Sequence, residues 1–337
     1  MFSGIGGFEL GIEQAYDNRD YQARTRVGGE EGRTGKLLTG SDGRTQQAIC
    51  IGYSEIDKYA IQIYSKHFNH KNYGDCTTIV ADELPDFDLL CGGFPCQSFS
   101  IAGKRGGFND TRGTLFFDIA RILRAKRPRL LWLENVKGIL SHDGGRTFDT
   151  IIRTLDELWY DIQWQVLNSK NFGVPQNRER VFIIGHLRGE PRLKVFPFGE
   201  SNPRDFEQII GGRQGNRVYG TGGVSSTIAS QAGGRGAKTG LYVPAIRATS
   251  HKRGDNDTLI AKTIRGGGRR SPHGSKQNWD SYEVGGGIRR LTPKECERLQ
   301  SFPDDWTRDL SDTQRYKCLG NAVTVNVIKA IAERLFL

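Results

Sequence analysis

The sequence predicts an α/β protein, an open sheet with helices packed against it. Three observations carry that prediction: short apolar runs that end in glycine or a carboxylate, segments with apolar residues at helical spacing between them, and a glycine-rich turn at the start. Leu89-Leu90-Cys91 and Leu130-Leu131-Trp132-Leu133 show no polar alternation, as expected of strands buried on both faces. A chain of 337 residues has room for one large domain or two modest ones.

Composition narrows the class. A hydrophobic share of 36% with 26% charged residues suits a soluble globular protein. No apolar run approaches the roughly 18 residues of a membrane span, and no signal peptide is visible, so the expectation is a cytoplasmic protein that does not engage a membrane. The six cysteines (Cys50, Cys76, Cys91, Cys96, Cys296, Cys318) form no CxxC pair. That argues against a metal site or disulfide framework and for a reducing compartment. The net charge of +10 is uneven: residues 199–290 hold 15 Lys and Arg against 7 Asp and Glu, a surplus of eight. A basic region on a less charged body is the footprint of a polyanion binder.

In order, Met1-Phe2-Ser3-Gly4-Ile5-Gly6-Gly7 places glycines where backbone must approach a ligand closely, a pattern that also serves dinucleotides and phosphates. From Asn18 to Gln47 the chain is rich in Gly, Arg and Thr and keeps no period, which predicts a long mobile loop, read as a tolerated insertion with a polyanion-touching arm as the alternative. Ile49-Cys50-Ile51-Gly52-Tyr53-Ser54-Glu55 predicts the next strand, with Glu55 placed at its end to accept from ribose hydroxyls. Asp75 ends the following segment. Then Leu89-Leu90-Cys91 runs into Gly92-Gly93 and on to Phe94-Pro95-Cys96-Gln97. Pro95 stiffens the turn, and Cys96 is presented to the crevice at the carboxyl end of the strand. Cys91, inside the apolar run, reads as a small buried hydrophobe.

A helix follows from Arg112 through Leu123, ending before Pro128. The strand Leu130–Val136 delivers Glu134 at its end, and a carboxylate among so many apolar residues is costly unless paired or functional. Thr147–Trp159 carries Ile151, Ile152, Leu155 and Leu158 on one helical face. Strands at 163–168 and 181–185 flank Gln176-Asn177-Arg178-Glu179-Arg180. Arg178 and Arg180, two apart on an extended segment, share a face suited to gripping phosphate or a base carbonyl, with surface ion pairing as the alternative. Residues 199–287 turn to Gly, Arg, Ser and Thr, as expected of loops on a small irregular domain. Thr292-Pro293-Lys294-Glu295 reads as a capping box with Pro at the first helical position. The closing helix has apolar residues at 327, 328, 331 and 335.

Gly92-Gly93-Phe94-Pro95-Cys96-Gln97 resembles the nucleophile loop of the DNA (cytosine-5) methyltransferases, bacterial and phage restriction-modification type. Other motifs follow in that family's order from Phe2 to about 187 and from about 288 to the end. The resemblance implies a class I S-adenosylmethionine-dependent methyltransferase: an α/β, Rossmann-like mixed sheet with helices on both faces, plus a smaller irregular target-recognition domain. Residues 1–198 and 288–337 would form the catalytic domain, with the 18–47 insertion, and 199–287 the recognition domain. Cofactor contacts are implied for Phe2, Gly4, Gly6, Gly7, Glu55, Ile56, Asp75, Cys76, Leu115, Asn321 and Val323, core packing explaining Leu115 equally well. Cys96, after Pro95, is implied as the nucleophile, Glu134 as the group against the cytosine ring, and Arg178 and Arg180 as holding the flipped nucleotide. Gln97, Gln214, Arg217, Thr227 and Ile228 are implied at the DNA, with Gln214 in Gly212-Arg213-Gln214-Gly215 filling the gap left by the base. Beyond about Val243 the comparison fails.

One departure stands out: the family has an apolar strand before its glycine loop, whereas here almost nothing precedes it, so that strand is stunted or the start lies upstream. The implied activity is methyl transfer from S-adenosyl-L-methionine to C5 of a flipped-out cytosine in a short specific double-stranded DNA sequence. The implied setting is a monomer in a prokaryotic or phage-infected cytoplasm, associated with the nucleoid. A cognate restriction endonuclease would act on the same site without being bound. Methylation of tRNA and a non-enzymatic module binding cofactor or DNA stay open as alternatives. A nicotinamide dehydrogenase is a poor third.

Overall fold

Parallel strands need a long crossover, and α3 (Leu115–Lys126) lies in the one that joins β1 (Leu89–Gly93) to β2 (Leu130–Val136). β3 (Tyr160–Asn168) and β4 (Glu179–Leu187) pair antiparallel, and β4 inserts beside β2, giving a mixed sheet in the order β1-β2-β4-β3. The structure, a computed structural model, describes residues 1–26, 48–95, 115–199, 208–210, 218–219, 241–242 and 291–336. The remaining helices are α1 (Gly7–Arg26), α2 (Lys58–His67), α4 (Arg146–Glu157), α5 (Pro293–Leu299), α6 (Asp312–Asn321) and α7 (Val325–Phe336).

Strand alternation sorts the core into two layers. Leu131, Leu133, Val181 and Ile183 pack with Phe116, Ile119 and Leu123 of α3 and Ile151 and Leu155 of α4. Their neighbours Leu130, Trp132, Phe182 and Ile184 point the other way, onto Phe8 and Ala15 of α1 and Val327, Ile328 and Ile331 of α7. The sheet therefore has helices on both faces, as expected. Gly11 lets α1 and α7 cross closely, since a Cβ there would lie 2.6 Å from Ile328 Cβ. A third cluster joins Ile5 and Tyr53 to α2, α5 and α6 through Ile63, Tyr64, Leu299 and Leu319. Three short strands, β5 (Gln208–Ile210), β6 (Val218–Tyr219) and β7 (Leu241–Tyr242), form a second sheet within the segment expected to be the smaller domain.

The capping box is present as read: Thr292 Oγ1 accepts from Glu295 N, and Glu295 Oε2 accepts from Thr292 N. Two expectations need correction. Residues 18–26, expected to be loop, are helical, because α1 continues to Arg26, and 27–47 lie outside the described residues. No glycine or proline interrupts 18–26, so propagation of the helix costs little there. Ile49–Glu55 is not a strand; its pairing is one isolated parallel bridge, Tyr53 with Asn72. Gly52 breaks the run at φ +152°, where a Cβ would sit 2.5 Å from the Tyr73 ring. No helix among the described residues is long and apolar enough to cross a membrane.

Candidate active site

The carboxyl ends of the parallel strands are where an open sheet leaves a crevice. The β1–β2 ladder ends with Gly93 paired to Glu134. A Cβ on Gly93 would lie 3.1 Å from Glu134 Oε2, so the missing side chain gives the carboxylate its space. Glu134 Oε1 forms an ion pair with Arg180 Nε at 3.0 Å, both side chains largely buried. Burial raises the carboxyl's proton affinity above the usual range, and the Arg180 and Arg178 charges offset only part of that. Pro95, two residues beyond Gly93 in sequence, is exposed. Cys96, Gln97, Gln214, Arg217, Thr227 and Ile228 lie outside the described residues. Cys91 packs against the α1/α7 layer, and burial pushes its thiol up, in keeping with an inert hydrophobe.

Of the two arginines expected to hold the flipped nucleotide, Arg178 lies the deeper. Its side chain is 2% exposed and donates from Nη2 to the carbonyls of Gly320 and Ala322, at 3.0 and 2.8 Å. Those carbonyls sit at the end of α6, where the last C=O groups lack helical partners. Arg178 therefore clasps the α6–α7 junction, while Arg180 pairs with Glu134. Gln176 was not singled out in the sequence, yet it is fully buried and donates to Leu299 O at 2.7 Å, tying the same segment to α5. Asn135, overshadowed in the sequence by its position beside Glu134, donates from Nδ2 to Phe94 O at 2.7 Å. A polar residue directly after a charged one at a strand end was the available signal.

A second cluster gathers around the glycine loop. Gly4, at φ +55°, has nothing within 4 Å of where a Cβ would stand, and its N–H donates to Glu55 Oε2 at 2.9 Å. Glu55 Oε1 accepts from the N–H groups of Ile56 and Asp57, both at 2.9 Å. Ile56 is 71% exposed, an apolar side chain held open beside a carboxylate. Asn72 ties Glu55 to Gly74, which leads to Asp75, whose exposed carboxylate accepts from Thr77 N and Oγ1. Val323 packs on Gly7, 2.7 Å from its would-be Cβ, and brings exposed Asn321 to the same end. Gly6 lies against the Phe68 ring, and Phe2 and Leu115 pack in part on the α3/α4 layer. Cys76 turns its thiol into that layer, where burial pushes it up to about 11, leaving its main chain for any ligand. The structure thus brings Gly4, Glu55, Ile56, Asp75, Asn321 and Val323 to one end of the fold.

Residues 1–337 match the C-5 cytosine-specific DNA methylase family. The chain belongs to that family. The type II methyltransferase M1.ScrFI of Lactococcus lactis subsp. cremoris is 35% identical over 363 residues, covering 99% of this chain and 76% of that protein. M.HhaI of Haemophilus parahaemolyticus is 32% identical over 374 residues, covering 99% and 92%. Among solved structures, the S. pombe Dnmt2 methyltransferase aligns with TM-score 0.64 at 16% identity over 98% of this chain and 95% of that one. A Spodoptera frugiperda DNMT2 variant aligns at 0.62 and 19%, covering 100% and 98%. These structures bear on the fold alone, a mixed α/β sheet with helices on both faces. The methyltransferase transfers a methyl group from S-adenosyl-L-methionine to C5 of cytosine in double-stranded DNA.

The residues present fit that cofactor. Open space at Gly4 admits a ligand against the backbone, Ile56 offers an apolar surface to a flat base, and Glu55 keeps acceptor capacity, since each carboxylate oxygen has two lone pairs.

Proposed function

We propose that this methyltransferase modifies a cytosine flipped out of a short specific duplex sequence, through a covalent bond from Cys96 to C6 of the base. The observation that carries the proposal is the buried Glu134–Arg180 pair beside Gly93, three residues before Cys96. Cytosine C5 is a weak nucleophile because attack through it breaks the ring's aromaticity. Addition of the Cys96 thiolate to C6 forms an S–C6 bond and moves an electron pair toward C5 and N3. Glu134, with its raised proton affinity, holds a proton at N3, so that charge does not build on the ring. Arg180 keeps that carboxyl in place. Bound S-adenosyl-L-methionine supplies the electrophile, a methyl group on a sulfonium sulfur, with Glu55, Ile56, Asp75, Asn321 and the glycine loop as its holders. Loss of the C5 proton and expulsion of Cys96 as thiolate restore the aromatic ring.

A stacked base cannot enter such a site, and flipping costs a few kcal/mol that contacts elsewhere must offset. Residues 199–287 serve as the recognition domain, Gln97, Arg217, Thr227 and Ile228 meet the DNA, and Gln214, able to donate and accept, faces the unpaired guanine. The enzyme works as a monomer in the cytoplasm at the nucleoid, and a restriction endonuclease shares its site without binding it. The test is trapping on duplex carrying 5-fluorocytosine, whose C5 cannot lose a proton. Wild type should form a denaturation-resistant complex and Cys96→Ser none, while cofactor affinity stays within about threefold, since only uniform binding sets it. A complex that persists in Cys96→Ser would overturn the assignment.

A further inference from the structure

We propose that Asn135 is a positioning residue for the nucleophile, acting through the Phe94–Pro95 peptide; the inference rests on Cys96 being that nucleophile. The β1–β2 ladder stops at Gly93 and Glu134. One residue further, Asn135 is 3% exposed, and its amide bridges the two strand exits. Oδ1 accepts from Val136 N at 2.9 Å, which fixes the amide's orientation and aims Nδ2 at Phe94 O, 2.7 Å away. The Phe94 ring is held at its other end, 3% exposed and 5.4 Å from the Phe116 ring. The carbonyl that Asn135 grips belongs to the planar unit that also contains Pro95 N and Cα. Holding the oxygen therefore holds that plane. Proline then locks φ near −65°, so ψ of Pro95 is the only soft dihedral between the held plane and the Cα of Cys96. A side chain that touches no substrate thereby limits where the thiol stands, and Glu134, its neighbour in sequence, is placed by the same strand end.

The experiment is single-turnover adduct formation on 5-fluorocytosine duplex at saturating DNA and S-adenosyl-L-methionine, with the trapped fraction at completion counting competent sites. Asn135→Ala removes the donor, and Asn135→Asp of equal size turns it into an acceptor facing a carbonyl. Both should slow trapping per competent site about tenfold to a hundredfold, the loss expected from a misplacement near 1 Å. DNA and cofactor dissociation constants should stay within about threefold, the mark of an effect on the chemical step alone. Wild-type trapping rates in a reduced competent fraction would mean that Asn135 only supports folding, and would overturn the proposal. Pro95→Gly frees φ without touching the core and should give the same loss, less than additive with Asn135→Ala because both act on one geometry. An unchanged rate in Pro95→Gly would also overturn it, even if the Asn135 variants fail to fold. Cys96→Ser in the same assay reports on the nucleophile by itself: an adduct in that variant breaks the underlying reading, whatever Asn135 does.

Discussion

Two buried carboxylates meet the cost of desolvation in different ways. Glu134 has Arg180 at 3.0 Å and stands at the crevice. Glu9, in the first turn of α1, accepts from Tyr64 Oη at 3.0 Å, but its Oε2 is buried without a partner among the described residues. Burial raises its proton affinity, outweighing the hydrogen bonds and the N-terminal charge. A carboxyl that binds its proton more tightly when folded favours folding only while protonated. Stability attached to Glu9 is thus full below the ordinary carboxylate range and is lost as pH rises through the raised folded value. Glu9→Gln keeps the acceptor for Tyr64 and removes the charge. It should raise stability at pH 7.5, and the advantage should vanish toward pH 4. Thermal midpoints of both proteins across that range decide it, and an advantage independent of pH would rule out the charge as its cause. Glu134 was legible in the sequence because a charge ending an apolar run has few bland explanations. Arg178 was not, since its partners at Gly320 and Ala322 lie some 140 positions away, and spacing on one segment says nothing about what packs behind it.

At the scale of elements, what local physics dictates was readable and what tertiary contact decides was not. β2 and the closing helix follow from apolar pattern alone, and the four positions that the period of α7 named are all buried, Val325 and Ala332 joining them. Ile49–Glu55 has strand composition but no partner strand beyond the Tyr53–Asn72 bridge, and Gly52 turns the chain. α6 escaped notice because its sequence is mostly polar and buries only Cys318, Leu319 and Gly320. The capping box at Thr292 is local chemistry, and its energy is correspondingly predictable. Thr292→Ala should destabilise by about 1 kcal/mol, whereas Thr292→Ser, which keeps the acceptor, should cost a few tenths. The two midpoints measured side by side separate loss of the cap from loss of the methyl group. Equal losses would show that the α5 start is held by packing alone.

Over the whole molecule, charge and chemistry are divided along the chain. The residues proposed for the chemistry sit at the ends of a neutral-cored sheet, while residues 199–290 carry eight of the ten net positive charges. Such a division has a consequence for how affinity is assembled. Each phosphate neutralised by Lys or Arg releases condensed counterions, so log affinity falls with log salt by about 0.9 per phosphate. Hydrogen bonds to bases and to the flipped cytosine add affinity without adding slope. Titrating a labelled duplex between about 50 and 200 mM salt, a range over which six or more phosphate pairings cost about a thousandfold, therefore reports how many phosphates are gripped. Replacing Lys252, Arg253, Arg269 and Arg270 together by Gln should flatten the slope by about one for each phosphate no longer neutralised. The rate of adduct formation once DNA saturates should be unchanged, because those residues are not among the ones proposed for the chemistry. A slope identical to wild type would show that the basic segment serves something other than the DNA backbone.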